Sequence, residues 1–188
     1  VKEKALSEHV PIIMDVTLDK IKETIKGKKF DNILEIGTAV GYSAICFSEF
    51  LNENGKIDTI ERDTERILQA RYNIKELNKE NQINLIEGDA VDILPTINKK
   101  YQLIFIDAAK GKYPFFLKES LRLLDKDGII FADNVLFKGY VMSDYNKHKQ
   151  RTAVNHLREF IHTSTESKEL NTQILNIGDG LAIIKKNN

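Results

Sequence analysis

Apolar residues in this chain gather in short blocks separated by charged stretches of helix length. Ile33-Leu34-Glu35-Ile36 and residues 56–60, 83–86, 101–106 and 128–132 are such blocks, bounded by Gly, Asn or Asp. Blocks this short, rich in Ile, Leu and Phe, predict buried strands. Helices are predicted over residues 5–25, with a break at Val10-Pro11, and over 42–52, 64–78, 113–124 and 147–162. In the helix over 64–78, Ile67, Leu68, Tyr72 and Leu77 are expected to form the buried stripe. Strand and helix alternate, which predicts a parallel sheet covered on both faces.

The rhythm changes at the end. Residues 173–177 and 181–185 flank Gly178-Asp179-Gly180, a hairpin signature that makes the last strand antiparallel. With no repeat, low-complexity tract or linker in its 188 residues, the chain reads as one domain.

Composition narrows the field. Lys plus Arg and Asp plus Glu both number 28, so net charge recommends neither nucleic acid nor membrane as a partner. No apolar run approaches the ~18 residues of a membrane span, and the first residues show no secretory pattern. Cys46 is the single cysteine, in the apolar stretch Ser43-Ala44-Ile45-Cys46-Phe47, and reads as a buried structural thiol in a reducing cytoplasm.

Two strand ends carry the candidate chemistry. Residues 103–106 run into Asp107, with Lys110 three residues on, and residues 128–132 run into Asp133-Asn134. At the carboxyl edge of a parallel sheet these oxygen donors would converge as a seat for a divalent cation. Taken separately, the two aspartates could be strand-end caps. Lys110 is a candidate base or anion clamp, or else a surface lysine.

Strand, Gly37-Thr38-Ala39-Val40-Gly41, helix is the layout of a nucleotide-type cofactor site, or simply a tight turn. Glu61 ends the next strand, where a carboxylate accepts hydrogen bonds from ribose hydroxyls. Glu35, directly before the glycine turn, would repel a pyrophosphate and suit a cationic amino acid end, which points to S-adenosylmethionine rather than a nicotinamide cofactor. Asp89-Ala90 ends the third strand; Asp89 is either an acceptor for adenine's amine or the N-cap of the next segment.

With these residues in place, the chain resembles the cation-dependent class I O-methyltransferases, the group of catechol and caffeoyl-coenzyme A O-methyltransferases. The resemblance rests on residues 34–43, on Ile106-Asp107-Ala108-Ala109-Lys110 and on Ala132-Asp133-Asn134, and it spans essentially the whole chain. It implies a Rossmann-like α/β fold: a mostly parallel seven-stranded sheet with an antiparallel C-terminal hairpin strand and helices on both faces. It further implies that Glu35, Gly37 and Ser43 line the methionine part of the cofactor, that Glu61 binds its ribose, and that Asp89 and Ala90 bind its adenine. Asp107, Asp133 and Asn134 would hold a divalent cation, magnesium, with Asp107 also at the cofactor, and Lys110 would be the general base.

Within that group, His9-Val10-Pro11-Ile12-Ile13-Met14 is most similar to the bacterial tRNA 5-hydroxyuridine methyltransferases, in which Met14 would touch the cofactor. That implies tRNA as substrate, a homodimer, and a segment 1–30 that contributes to the site. A catechol-like small molecule is the alternative acceptor.

Lys138, Lys147, Lys149, Arg151 and Arg158 face only Asp144 across residues 138–158, either as a phosphate-contacting patch or as a solvated helix face. Phe137 and Tyr140 beside them could stack on a base. His9, His148, His156 and His162 show no metal-ligand spacing and are assigned no chemistry. A nicotinamide-dependent oxidoreductase and a non-catalytic RNA-binding module are the readings from other classes. The missing G-x-G-x-x-G opposes the first, and the intact Asp107, Lys110, Asp133 and Asn134 oppose the second.

Overall fold

A strand covered on both faces must be apolar at nearly every position, and the central strands here are. The computed structural model describes residues 1–144, 148 and 150–187. Seven strands form one sheet: β1 (Phe30–Ile36), β2 (Leu51–Glu61), β3 (Ile83–Glu87), β4 (Tyr101–Ile106), β5 (Leu124–Asp133), β6 (Leu170–Leu175) and β7 (Leu181–Lys186). Their order is β3-β2-β1-β4-β5-β7-β6. The β1–β2, β1–β4, β2–β3 and β4–β5 pairs are parallel, and β7 runs antiparallel between β5 and β6. The predicted fold is the observed one, including the inserted hairpin strand.

The pleat divides the core in two. Leu34, Ile36, Ile104, Ile106, Ile130 and Ala132 face one side with α6 (Tyr113–Leu123) and α7 (Arg151–Glu166). Ile33, Leu103, Phe105, Ile129 and Phe131 face the other with α2 (Asp15–Thr24), α3 (Tyr42–Phe47) and α4 (Thr64–Glu76). Two short helices, α1 (Lys2–Ser7) and α5 (Ala90–Ile93), complete the set.

Several boundaries move from their predicted places. The helix after the glycine turn ends at Phe47, and β2 starts at Leu51 because Leu51 pairs with Phe30. Asn54-Gly55 therefore falls inside β2, where the register slips between the Phe30–Leu51 and Asn32–Lys56 pairs. Likewise β5 begins at Leu124, opposite Tyr101, ahead of its predicted start. The first predicted helix divides into α1 and α2 around residues 8–14, β6 lies earlier than expected, and α7 runs to Glu166. The predicted start of that helix, Lys147, lies outside the described residues.

In α4 the buried stripe is Ile67, Ala70 and Ile74, while Leu68, Tyr72 and Leu77 are exposed. Leu68 and Tyr72 lie one position after Ile67 and two after Ala70, so the pitch of the helix turns them outward. Both line a cleft of about 210 Å³ between α1 and α4 that also includes Val40 of the glycine turn. Cys46 is half-buried rather than enclosed, and burial raises its thiol pKa.

Candidate active site

The sheet's strand order reverses between β1 and β4, and open α/β sheets bind ligands at such a switch, outside the carboxyl ends. The two ends are joined there, with the Asp107 amide donating to the Ile36 carbonyl at 3.0 Å. Gly37 follows with φ +99°, and a Cβ on it would collide with the Asp107 carbonyl oxygen. Only glycine keeps both the left-handed backbone and this close approach. Replacing Gly37 with alanine is expected to destabilise the fold by at least about 2 kcal/mol and to weaken S-adenosylmethionine binding. Denaturant unfolding and calorimetry check this, and unchanged values for both would contradict it.

Glu35 is fully enclosed. Its side chain is fully buried beside Thr59 and Phe105, accepting hydrogen bonds from Ser43 and, at 2.5 Å, from Thr59, which in turn contacts Thr38 at 2.6 Å. It has no exposed surface in the ligand-free protein, and Ser43, which donates to it, is 8% exposed. Burial pushes its pKa up to about 8, with Asp107 and Glu61 adding to the rise against the two hydroxyl bonds. In the ligand-free protein near neutral pH this carboxyl is largely protonated, so the repulsion of pyrophosphate expected from it is not supplied.

A raised carboxyl contributes stability that is complete below its unfolded value and is lost as pH rises through the folded one. Glu35→Gln cannot ionise. Its melting temperature should gain on the wild type by several degrees between about pH 4.5 and about pH 8, then level off. A difference that stays flat over that range would contradict the assignment.

Glu61 is 8% exposed and ties the glycine turn to the end of β2. One of its oxygens accepts from the Ala39 amide at 2.9 Å and the other from the Arg62 and Asp63 amides at 3.0 Å. A carboxylate offers about four acceptor positions, so capacity remains for a hydroxyl. Asp89 caps α5 through the Val91 amide at 2.9 Å, and its second oxygen meets the Arg62 guanidinium at 2.9 Å. The Val91 amide is the main cause of its lowered pKa. The cap read from the sequence is thus present, Ala90 is the first residue of α5, and Arg62 joins them unforeseen. Met14 is exposed at the start of α2, its sulfur next to Gly178 in the β6–β7 turn.

The two predicted strand ends do meet. The Asn134 side-chain amide contacts Asp107 at 2.9 Å, and the Asn134 backbone amide donates to Asp133 at 2.7 Å. Lys110 Nζ lies 3.3 Å from Asp107 Oδ1 and 5.8 Å from the centre of the Tyr113 ring. Asp133 is 3% exposed; burial first and Asp107 second push its pKa up to about 7. No group of three or more His, Cys, Asp or Glu side chains suited to a metal occurs among the described residues. The seat is two carboxylates with an amide, hard donors of the kind magnesium takes. The repulsion of buried Asp133 by half-buried Asp107 is what a bound cation would relieve, so the residues fit one.

The terminal hairpin turn fixes this corner. Val135 donates to the Gly180 carbonyl at 3.1 Å, Leu136 to the Asp179 carbonyl at 3.0 Å, and the Lys138 amide to the Asp179 carboxylate. These bonds hold a left-handed run in which Asn134, Phe137 and Lys138 all have positive φ. Arg158 holds the same loop, donating to the carbonyls of Val141, Tyr140 and Ser143. Lys138 and Arg151 are exposed; Lys147 and Lys149 lie outside the described residues. Phe137 and Tyr140 contact each other edge to face at 5.7 Å.

Comparison with known proteins decides the family. The O-methyltransferase family model matches residues 14–187. The chain belongs to the O-methyltransferase family. It is 37% identical over 117 residues to a catechol O-methyltransferase of Niastella koreensis, spanning 60% of this chain and 53% of that one. With the tapetum-specific methyltransferase 1 of Arabidopsis thaliana it shares 30% identity over 94% of this chain and 77% of the other. A Staphylococcus aureus structure provisionally described as a caffeoyl-CoA O-methyltransferase superposes with a TM-score of 0.90 at 36% identity, covering 99% and 90% of the two chains. An SAH-bound Podospora anserina methyltransferase superposes at 0.78 with 27% identity, covering 92% and 76%. The enzyme is thus an S-adenosylmethionine-dependent O-methyltransferase of the catechol and caffeoyl-CoA type.

Sequence reasoning missed Thr38, Thr59, Arg62, His156 and Asp179. Thr59 left one sign, a polar residue inside a buried strand. The others bond across the fold to groups that local patterning does not reveal.

Proposed function

We propose that this methyltransferase needs a divalent cation, magnesium, held by Asp107, Asp133 and Asn134, and that Lys110 is its general base. Carrying the reading is the meeting of buried Asp133 and half-buried Asp107, which repel each other, with Asn134 and with the Lys110 amine at 3.3 Å. Bound there, a divalent cation supplies the charge that acidifies and orients an acceptor hydroxyl. Lys110 takes the hydroxyl proton, and the oxygen displaces the methyl group from the sulfonium, leaving S-adenosylhomocysteine. Gly37 leaves room for the cofactor's methionine part, which Ser43 also meets with Glu35 held behind it. Glu61 accepts from the ribose, and Asp89 with Ala90 faces the adenine. Residues 1–188 act as a single domain, with Met14 and the rest of 1–30 contributing to the site. The β6–β7 turn supports this: a Cβ on Gly178 would lie 2.5 Å from Thr17 Oγ1 and 3.3 Å from the Met14 sulfur.

For the acceptor we favour 5-hydroxyuridine at the tRNA wobble position, giving 5-methoxyuridine in a cytoplasmic homodimer. Residues 9–14 support it through their similarity to that subfamily, and exposed Lys112, Lys138 and Arg151 offer cations to phosphates. A catechol-like small molecule is the second reading, favoured by the catechol O-methyltransferase relative. Mass spectrometry of tRNA from cells lacking the protein separates them. Unmethylated hydroxyuridine should accumulate; unchanged methoxyuridine together with methylation of catechols by the purified enzyme would overturn the tRNA reading.

A further inference from the structure

Lys110 sits on a single 3₁₀ turn, Lys110–Lys112, that has no side-chain cap. Backbone bonds close it locally, from the Lys112 amide to the Ala109 carbonyl at 2.9 Å and from the Tyr113 amide to the Lys110 carbonyl. A side-chain anchor comes from far along the chain: His156 Nδ1 lies 2.6 Å from the Gly111 carbonyl oxygen. A carbonyl only accepts, so Nδ1 carries the hydrogen. His156 is half-buried on α7, between Val154, Leu157 and Phe160, all fully buried. Phe160 also meets the Tyr113 ring edge to face at 5.5 Å, next to the turn. The helix is thus locked to the core, and it delivers an N–H donor to the Gly111–Lys112 peptide, one residue beyond Lys110.

We propose that His156 is a positioning residue for proton removal, its Nδ1–H holding the Gly111 carbonyl so that the Lys110 amine stays at the acceptor site. Two residues along α7, Arg158 binds the loop that follows Asn134. One helix therefore braces both strand ends that make up the site. The inference rests on Lys110 being the general base. Displacing a catalytic group by about an ångström can lower a rate about 100-fold, which sets the size expected here.

The test compares His156→Ala, His156→Phe and His156→Asn with Lys110→Met. Asparagine can place an amide N–H near the position of Nδ1, whereas phenylalanine restores bulk without a donor. The first readout needs no acceptor. Hydrogen exchange at the Lys112 amide should quicken at least about tenfold in the Ala and Phe variants and stay near wild type in the Asn variant, with the sheet amides unchanged. The second is methyl transfer from S-adenosylmethionine to a catechol and to hydroxyuridine-containing tRNA. On whichever is turned over, kcat should fall about 10- to 100-fold in Ala and Phe, with cofactor affinity kept and Asn restoring most of the loss. In a Lys110→Met background, removing His156 should cost nothing further. Unchanged exchange at Lys112, or an equal loss of kcat with and without Lys110, would overturn the positioning role. Full activity of Lys110→Met alone would instead overturn the general-base reading, while the exchange result would still report on the clamp.

Discussion

Lys110→Met is expected to lower the turnover of methyl transfer by about 100- to 10,000-fold, the range a positioned general base supplies. Methionine keeps an unbranched stem of similar length and removes only the amine. The amine stands 3.3 Å from Asp107 and 3.4 Å from the Ala108 carbonyl, at the corner where the strand ends meet. The residues proposed to meet the cofactor, Gly37, Ser43 and Glu61, lie just after β1, on α3 and at the end of β2. Affinity for S-adenosylmethionine, measured by calorimetry, should therefore hold while kcat falls. A kcat within about threefold of the wild type would contradict the base assignment, because that loss is smaller than any proton-transfer role predicts.

Asp133→Asn should move stability and activity in opposite directions. Without a bound cation, the Asp133 carboxyl is buried and pushed up to about 7, by burial first and by Asp107 second. The stability associated with its proton is complete below its ordinary value of 3.8 and is lost as pH rises through about 7. An amide of the same shape keeps the bond from the Asn134 backbone amide and carries no charge. The variant should accordingly melt higher than the wild type above about pH 7, by a few degrees, and the gap should close in acid. Methyl transfer should fall at least about 100-fold, and magnesium should no longer raise the melting temperature. A variant that melts lower at alkaline pH, or that magnesium still stabilises, would contradict the seat.

The strands and their ends were legible because parallel strands covered on both faces admit few polar residues. Leu103 to Ile106 and Gly128 to Ala132 stand out against charged surroundings, and a carboxylate at the close of such a run is conspicuous. Boundaries were less so. Leu51 and Leu124 are strand residues fixed by partners at Phe30 and Tyr101, a relation that local periodicity does not carry. Leu68 and Tyr72 are apolar, yet side-chain type alone does not say which way a helix turns them.

Glu35 shows a different limit. Its position before the glycine turn was plain, but its charge state depends on complete burial, opposed by hydroxyl bonds from Ser43 and Thr59, which only the folded sheet creates. His156 had no signal at all, since its partner is a backbone carbonyl 45 positions away. Asp179 was read as a turn residue and is one, yet its carboxylate also pins the loop after Asn134.

In the proposed mechanism the two strand ends form a cation-held acceptor site beside the S-adenosylmethionine site. Methyl transfer to hydroxyuridine-containing tRNA and to a catechol, each with magnesium and with excess chelator, tests it most directly. Whichever acceptor is turned over, transfer should occur with magnesium, be lost with chelator and recover when magnesium is restored. Transfer that proceeds equally well under chelation would contradict it.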